Sequence, residues 1–418
     1  MRSTLWSLSA LFLAVLALML GSGLLGSLIS LRLTLAGYGG GITGLVMSGY
    51  YAGLVFGSFI APGVVRRVGH IRAFAAFAAA NTIIVLLHSL YLSALAWGLL
   101  RLGTGIAMMG LYMVIESWLN ERAESSIRGR VFSVYMATTF LGLGTGQFLL
   151  SAAEHSGATL FLVVAILFAF SLIPVTLTRA VHPQPVENVR IRVGKLFKRA
   201  PFGIWGCIGA GLANGAFYAL GPAFAVREGL AVVQVAVFMG VTILSGLALQ
   251  WPVGMLSDRF DRQRVIGVLS LAVAAASWAI LTVGGSSMIL LLLFAAIFGG
   301  LTFTTYPVSV AHANDHIDAS ELVPASAALI LSYGVGAALG PMGSAAVSAV
   351  TGPAGLFLFV AVISAALGVA ALVVPRRKPV APEEQVPFVA MPRTSTVIAQ
   401  LDPRVEEEES PVEPMQPQ

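Results

Sequence analysis

Long apolar stretches alternate with short polar breaks along this chain. Twelve stretches stand out: residues 5–30, 43–65, 73–91, 93–118, 131–152, 158–180, 202–222, 233–256, 265–283, 287–311, 324–349 and 354–374. An α-helix needs about 20 apolar residues to cross about 30 Å of hydrocarbon. These lengths therefore predict an all-α integral membrane protein with twelve transmembrane helices. The first apolar run is longer than a signal peptide's and no compact cleavage region follows, so an uncleaved first helix is expected.

Composition sharpens this reading. Hydrophobic residues make up 57% of the 418 and charged residues 10%, where a soluble domain carries about 25% charged. The mean hydropathy is +0.88. The 45 glycines follow no G-X-Y period, which excludes collagen. Basic residues lie in short patches between apolar stretches, as in a membrane protein that fixes its orientation with Lys and Arg, so no nucleic-acid partner is expected. With the N-terminus in the cytoplasm, Arg66, Arg67, Arg72, Arg122, Arg128, Arg130, Arg259, Arg262, Arg264, Arg376, Arg377 and Lys378 all fall inside. The opposite loops hold only Arg32 and Arg227. This asymmetry predicts that both termini are cytoplasmic. Cys207 is the single cysteine, so no internal disulfide can form.

A basic loop, 182–201, follows the sixth stretch and divides the chain into an N-terminal bundle (1–181) and a C-terminal bundle (202–375). Its Arg190, Arg192, Lys195, Lys198 and Arg199 suit anionic lipid, and Lys195–Lys198 can open a short interfacial helix. Residues 376–418 form an acidic tail, rich in Pro and Glu with Glu406–Glu409 consecutive, and are expected to be disordered.

The two halves repeat. At an offset of 194, Tyr112 matches Tyr306, Asn120 matches Asn314 and Glu121 matches Asp315; Glu124 then matches Asp318, Ser126 Ser320, Gly142 Gly336 and Gly146 Gly340. Parallel six-helix repeats related by an axis along the membrane normal are the plan of major facilitator superfamily transporters.

Local motifs carry the same resemblance. Gly254-Met255-Leu256-Ser257-Asp258-Arg259-Phe260-Asp261-Arg262-Gln263-Arg264 resembles that superfamily's short cytoplasmic loop. The counterpart Pro62–Arg72 keeps Arg67 and Gly69, but has Arg66 where an aspartate is usual and Pro62 where glycine is usual. Arg101 followed by Gly105 resembles the fourth-span motif that places an arginine in the central cavity. Gly336–Gly343, with Gly340-Pro341, resembles the glycine–proline packing motif; the fifth span has Gly142, Gly144 and Gly146, then Gln147 instead of proline. Glu116–Glu121, Asn214–Pro222 and Ala311–Asp315 resemble the YcaD-type branch of bacterial inner-membrane proteins. The resemblance implies two pseudo-symmetric six-helix bundles, no cofactor, and a latch on the cytoplasmic side built from Arg67, Glu121, Asp258, Arg259, Arg262 and Asp315.

An arginine at the centre of an isolated transmembrane helix costs about 2.5–3.5 kcal/mol on insertion scales, so Arg101 should face a cavity or a partner. At about 100° per residue, Gly105, Met108, Tyr112 and Glu116 share its stripe. Arg101 and Glu116 stand roughly 22 Å apart along the axis and cannot pair. Arg101 is therefore the candidate anion anchor, with a helix-packing clamp as the alternative. Glu116 is the candidate proton-coupling group, with a gate pair to Arg66 or Arg67 as the alternative. His312 is a second candidate for the coupling proton. Asn214, Tyr218, Thr302, Thr305, Tyr306, Gln147 and Tyr333 are candidate cavity-wall groups, though hydroxyls in membrane helices often bond only their own backbone.

No nucleotide-binding G-x-x-x-x-G-K-[ST] loop, no H-E-x-x-H metal motif and no activated nucleophile occurs, so neither a pump nor an enzyme is expected. The expectation is a monomeric secondary transporter in the bacterial inner membrane that moves a small organic solute, possibly anionic, with protons as the coupling partner. An efflux antiporter for drugs or metabolites, or a non-transporting sensor with a transporter fold, is the alternative.

Overall fold

The computed structural model describes residues 2–122, 128–177, 193–283, 287–318 and 321–375, together with 385, 388, 389 and 394. Arg190, Arg192, Glu124, Ser126, Ser320, the run 376–378 and the run 406–409 lie outside the described residues. Among those described there is no strand. The helices are α1 (Arg2–Leu35), α2 (Gly40–Val68), α3 (His70–Leu90), α4 (Ala94–Arg122), α5 (Arg128–Gly146), α6 (Thr159–Thr176), α7 (Val193–Arg199), α8 (Pro201–Arg227), α9 (Val232–Arg259), α10 (Arg262–Val283), α11 (Met288–Asn314), α12 (Leu322–Thr351) and α13 (Gly355–Val373).

Ten of these are long and apolar enough to cross a membrane; α5 and α8 are not among the ten. Most helices overrun the apolar stretch that predicted them, because backbone pairing continues into polar end residues. The short amphipathic α7 covers Lys195–Lys198. Its Lys195 pairs with Glu321, and Arg199 reaches Glu321 at 2.5 Å and Asp318 at 3.3 Å. Here part of the basic loop is held by the acidic turn before α12.

The repeat is visible in the packing. In the first half α1 lies on α5, α2 on α4 and α3 on α6; in the second α8 lies on α12, α9 on α11 and α10 on α13. The halves meet through α2 with α12, α5 with α9 and α1 with α8. Matching glycines allow the matching contacts. A Cβ at Gly142 or Gly146 would collide with Met19 or the Leu20 carbonyl of α1, and one at Gly336 or Gly340 with the Ile208 or Leu212 carbonyl of α8.

The halves differ one residue further on. Helix α12 continues through Pro341 to Thr351, whereas α5 tightens into a 3₁₀ turn over Gln147–Ser151. The Gln147 side chain explains the difference in chemistry: Nε2 donates to the Gly23 and Leu143 carbonyls (3.0 and 3.1 Å), and Oε1 accepts from the Ser27 hydroxyl (2.5 Å). An amide thus ties α1 to α5 where proline stands in the other half.

Candidate functional site

A cavity of about 150 Å³ sits between the halves. Helix α1 gives it Ser22 and Ser27, α2 gives Tyr50 and Tyr51, and α4 gives Arg101, Thr104 and Tyr112. Tyr135, Thr139 and Phe140 come from α5, with Gln147 just beyond it, while the second half contributes Tyr218 and Tyr333.

Among the described residues, Arg101 is the cavity's one cation. The residue is 5% exposed, and its guanidinium carbon lies 4.5 Å from the centre of the Tyr50 ring. Its Nε has no hydrogen-bond partner, and among the described residues no carboxylate forms an ion pair with it. The ring face supplies part of what water would supply, but the guanidinium's donors remain available to an anion. The Thr139 hydroxyl is also buried without a partner.

Glu116, on the same stripe of α4, is fully buried and accepts from the Tyr135 hydroxyl at 3.1 Å. Arg66 and Arg67 are exposed, so no gate pair forms with Glu116. The Tyr112 hydroxyl reaches the Met19 sulfur at 3.8 Å, and Tyr50, Tyr112 and Tyr135 all line the cavity. Tyrosines therefore bridge the space between the arginine and the acid. Of the stripe, Gly105 serves packing instead: it lies against the Tyr50 carbonyl and Gly53 of α2.

Other expected wall residues lie off the cavity. Tyr306 is buried behind it, its ring 5.1 Å from that of Tyr333. Thr302 and Thr305 are buried, with Thr305 bonded to the Leu301 carbonyl. Asn214 is fully buried with neither amide atom hydrogen-bonded. His312 lines a different cavity of about 580 Å³ at the α7–α8 end of the second half, its ring 4.7 Å from that of His316 and tilted 55° to it.

Of the residues expected in the latch, Asp258, Arg262 and Asp315 come together in the second half, and Arg259 does not join them. Arg262, at the start of α10 and 1% exposed, reaches Asp315 and Asp258 at 2.6 Å each and the Ala311 carbonyl at 3.2 Å. Arg259, the last residue of α9, is exposed instead. In the first half Arg67 and Glu121 are both exposed and unbridged. There His70 opens α3 where Arg262 opens α10, and its ring packs 6.4 Å from Trp118. An imidazole buried against indole cannot replace a guanidinium bridging two carboxylates.

One end of the cavity is shut by contact between the halves. The Ser30 hydroxyl donates to the Ala219 carbonyl at 2.7 Å, Arg227 donates to the Tyr38 carbonyl at 3.3 Å, and Gly44 abuts the Pro341 carbonyl. At the opposite end the cavity wall includes Thr394.

The family model of the Major Facilitator Superfamily matches residues 11–318 and 252–401. The chain belongs to this superfamily. It is 30% identical over 361 residues to the uncharacterized MFS-type transporter YcaD of Salmonella arizonae, covering 85% of this chain and 92% of that one. The YcaD of Shigella flexneri serotype 5b is 31% identical over 308 residues, 72% of this chain and 78% of its own. Among solved structures, the nucleoside transporter NupG shares the fold at a TM-score of 0.72 with 17% identity, covering 88% of this chain and 98% of that one. An inward-facing, occupied bacterial homologue of the lysosomal transporter Spinster aligns at 0.70 with 15% identity, covering 89% and 95%. This is a multi-pass membrane protein of a transporter family, similar to YcaD.

Tyr50, Tyr51, Tyr135 and Thr139 escaped the sequence reading. A tyrosine pair within the apolar run of α2 was the available signal, but its rotation toward α4 depends on Gly53 and Gly105 meeting across the helix pair.

Proposed function

We propose that this chain is a secondary active transporter in the bacterial inner membrane. It carries a small organic solute with an anionic group by alternating access, coupled to protons. Twelve spans with both termini cytoplasmic follow from the Lys/Arg asymmetry, and α5 and α8 take their places as spans by symmetry with their partners α12 and α1.

The observation that carries the reading is the buried, unpaired Arg101 guanidinium in a pocket between two repeated bundles. A buried cation without a counter-ion is costly, and a solute carboxylate or phosphate would remove that cost. Tyrosine rings supply apolar faces, and their hydroxyls orient the rest of the solute. Glu116 is the coupling acid. It shares a tyrosine-lined path with Arg101, so solute charge at one end and a proton at the other are able to influence each other.

Uptake into proteoliposomes, screened over a panel of organic acids with and without a pH gradient, is the test. Gradient-stimulated accumulation that Arg101→Gln abolishes, and that Glu116→Gln uncouples from pH, is expected. Proton-driven transport of cations or neutral drugs that survives Arg101→Gln would favour the efflux alternative. Coupled transport unchanged in Glu116→Gln would remove the coupling role.

A further inference from the structure

Tyrosine is concentrated in the central pocket. Six of the nine in the chain line it: Tyr50 and Tyr51 from α2, Tyr112 from α4, Tyr135 from α5, Tyr218 from α8 and Tyr333 from α12. The rings come from both halves, and two pairs stand edge to face. Tyr50 and Tyr51 are 5.3 Å apart at 73°, and Tyr333 meets Tyr306 behind it at 5.1 Å and 66°. Another ring entering such a wall finds faces and edges to pair with, at the spacings of about 4.5–7 Å that aromatic pairs prefer. There is room for one, since an apolar cavity of about 150 Å³ holds a benzene ring.

The charge in the pocket selects further. Arg101 is buried with its Nε unpartnered, and among the described residues no carboxylate lines the pocket. One fixed positive charge in a buried site is neutralised by one negative charge on the ligand. A planar carboxylate matches the guanidinium fork through two parallel hydrogen bonds. A dianion would bring a second charge out of water with nothing to pair it, and a neutral molecule would leave Arg101 as it stands. An aliphatic acid would gain burial here, but only a π-system collects the additional attraction of ring pairs.

We infer that the solute is an aromatic monocarboxylate. Its carboxylate pairs with Arg101, and its ring is clasped by Tyr50 and Tyr51 of the first half and by Tyr218 and Tyr333 of the second. The inference rests on the proposed reading of Arg101 as the solute anchor and narrows the class of anion that reading admits. A ring held by tyrosines of both bundles also touches the two bodies that alternating access moves against each other.

Equilibrium binding to the full chain in nanodiscs, at neutral pH where carboxylic acids are ionised, tests the class with four probes. Benzoate carries both features, cyclohexanecarboxylate keeps the charge without the π-system, benzamide keeps the ring without the charge, and phthalate adds a second charge. Each aromatic pair is worth about two- to tenfold in affinity, so two pairs predict cyclohexanecarboxylate at least about fivefold weaker than benzoate. Benzamide and phthalate should each be weaker by about thirtyfold or more, the loss that follows when a buried charge lacks its partner. Tyr51→Leu, or Tyr333→Leu as a second variant, should narrow the gap between benzoate and cyclohexanecarboxylate. That ratio is internal to each variant, so a loss of folded protein does not move it. Equal affinity for benzoate and cyclohexanecarboxylate, both lost in Arg101→Gln, would overturn the aromatic class and leave the anion reading standing. Benzamide binding as tightly as benzoate would overturn the ion pair and the anion reading with it. Phthalate binding more tightly than benzoate would overturn the single charge, and an unchanged ratio in both leucine variants would overturn the tyrosine clasp. Binding of none of the four would overturn the inference outright.

Discussion

Replacing Asp315 by asparagine should be the most damaging single change in the loop network, and its neighbour Asp258 supplies the internal control. Both carboxylates sit 2.6 Å from Arg262, so distance alone predicts equal effects. Burial separates them. The Arg262 side chain is wholly buried and that of Asp315 is 2% exposed, whereas the side chain of Asp258 is 40% exposed. Removing one partner of a buried pair leaves an uncompensated charge and costs about 3–5 kcal/mol. Removing a partner that water can replace costs about 0–1 kcal/mol. Substituting both Arg262 and Asp315 by leucine removes the buried charge altogether and should be close to neutral. Arg259→Ala should stay within about 0.5 kcal/mol, because the side chain is exposed and outside the network. Equilibrium unfolding in mixed micelles, followed by tryptophan fluorescence, gives all four differences. Asp258→Asn costing as much as Asp315→Asn, or the double leucine variant costing as much as Asp315→Asn, would refute this division of the energy.

Three further outcomes are expected. Tyr50→Phe should keep the contact with Arg101, while Tyr50→Ala should weaken solute affinity by the roughly 1–2 kcal/mol of a desolvated cation–π pair, read as a rise in the half-saturating concentration of uptake. Gly336→Leu should push α12 off α8 and lower the yield of folded protein and its Tm. Gly98→Ala, with nothing within 4 Å of the added carbon, should leave both unchanged or slightly raised, since alanine is favoured over glycine in a helix by about 1 kcal/mol. The α7 clasp on Glu321 is half-exposed, so protease cutting near residue 193 should quicken between 0.15 and 1 M salt, as screening shortens from about 8 to about 3 Å; a salt-independent rate would contradict an ionic clasp.

Much of the architecture was legible because the bilayer imposes a length on each apolar run and because the repeat left glycines at corresponding places. Gly142 and Gly336 are a residue-level record of one contact made twice. Rotation about each helix axis was harder to read. Arg101, Tyr112, Gln147, Tyr218 and Tyr333 line the cavity, but Thr302, Thr305 and Tyr306, equally polar and regularly spaced, turn behind it or into their own backbone. Tyr50 and Tyr51 were hidden because which face of α2 turns inward is set by its glycine contact with α4. The choice of Arg262 over Arg259 depends on where α9 ends and α10 begins, a matter of two residues that charge spacing does not resolve. The tail's composition pointed to solvent, and nothing in it marked Phe388 and Thr394 as contacts, because their partners Gly254 and Glu116 are distant in sequence.

The central claim is that two repeated bundles expose one shared pocket to one side at a time. Spin labels at exposed Ile42 and Val350 report the closed end between α2 and α12, and labels at exposed Arg67 and Met255 report the opposite end. Pulsed electron–electron distances in nanodiscs, measured across pH and with an acid that the uptake screen identifies, should move in opposite senses, one pair lengthening as the other shortens. Both pairs lengthening together would indicate a continuous pore, and neither pair moving while solute crosses would be equally contradictory.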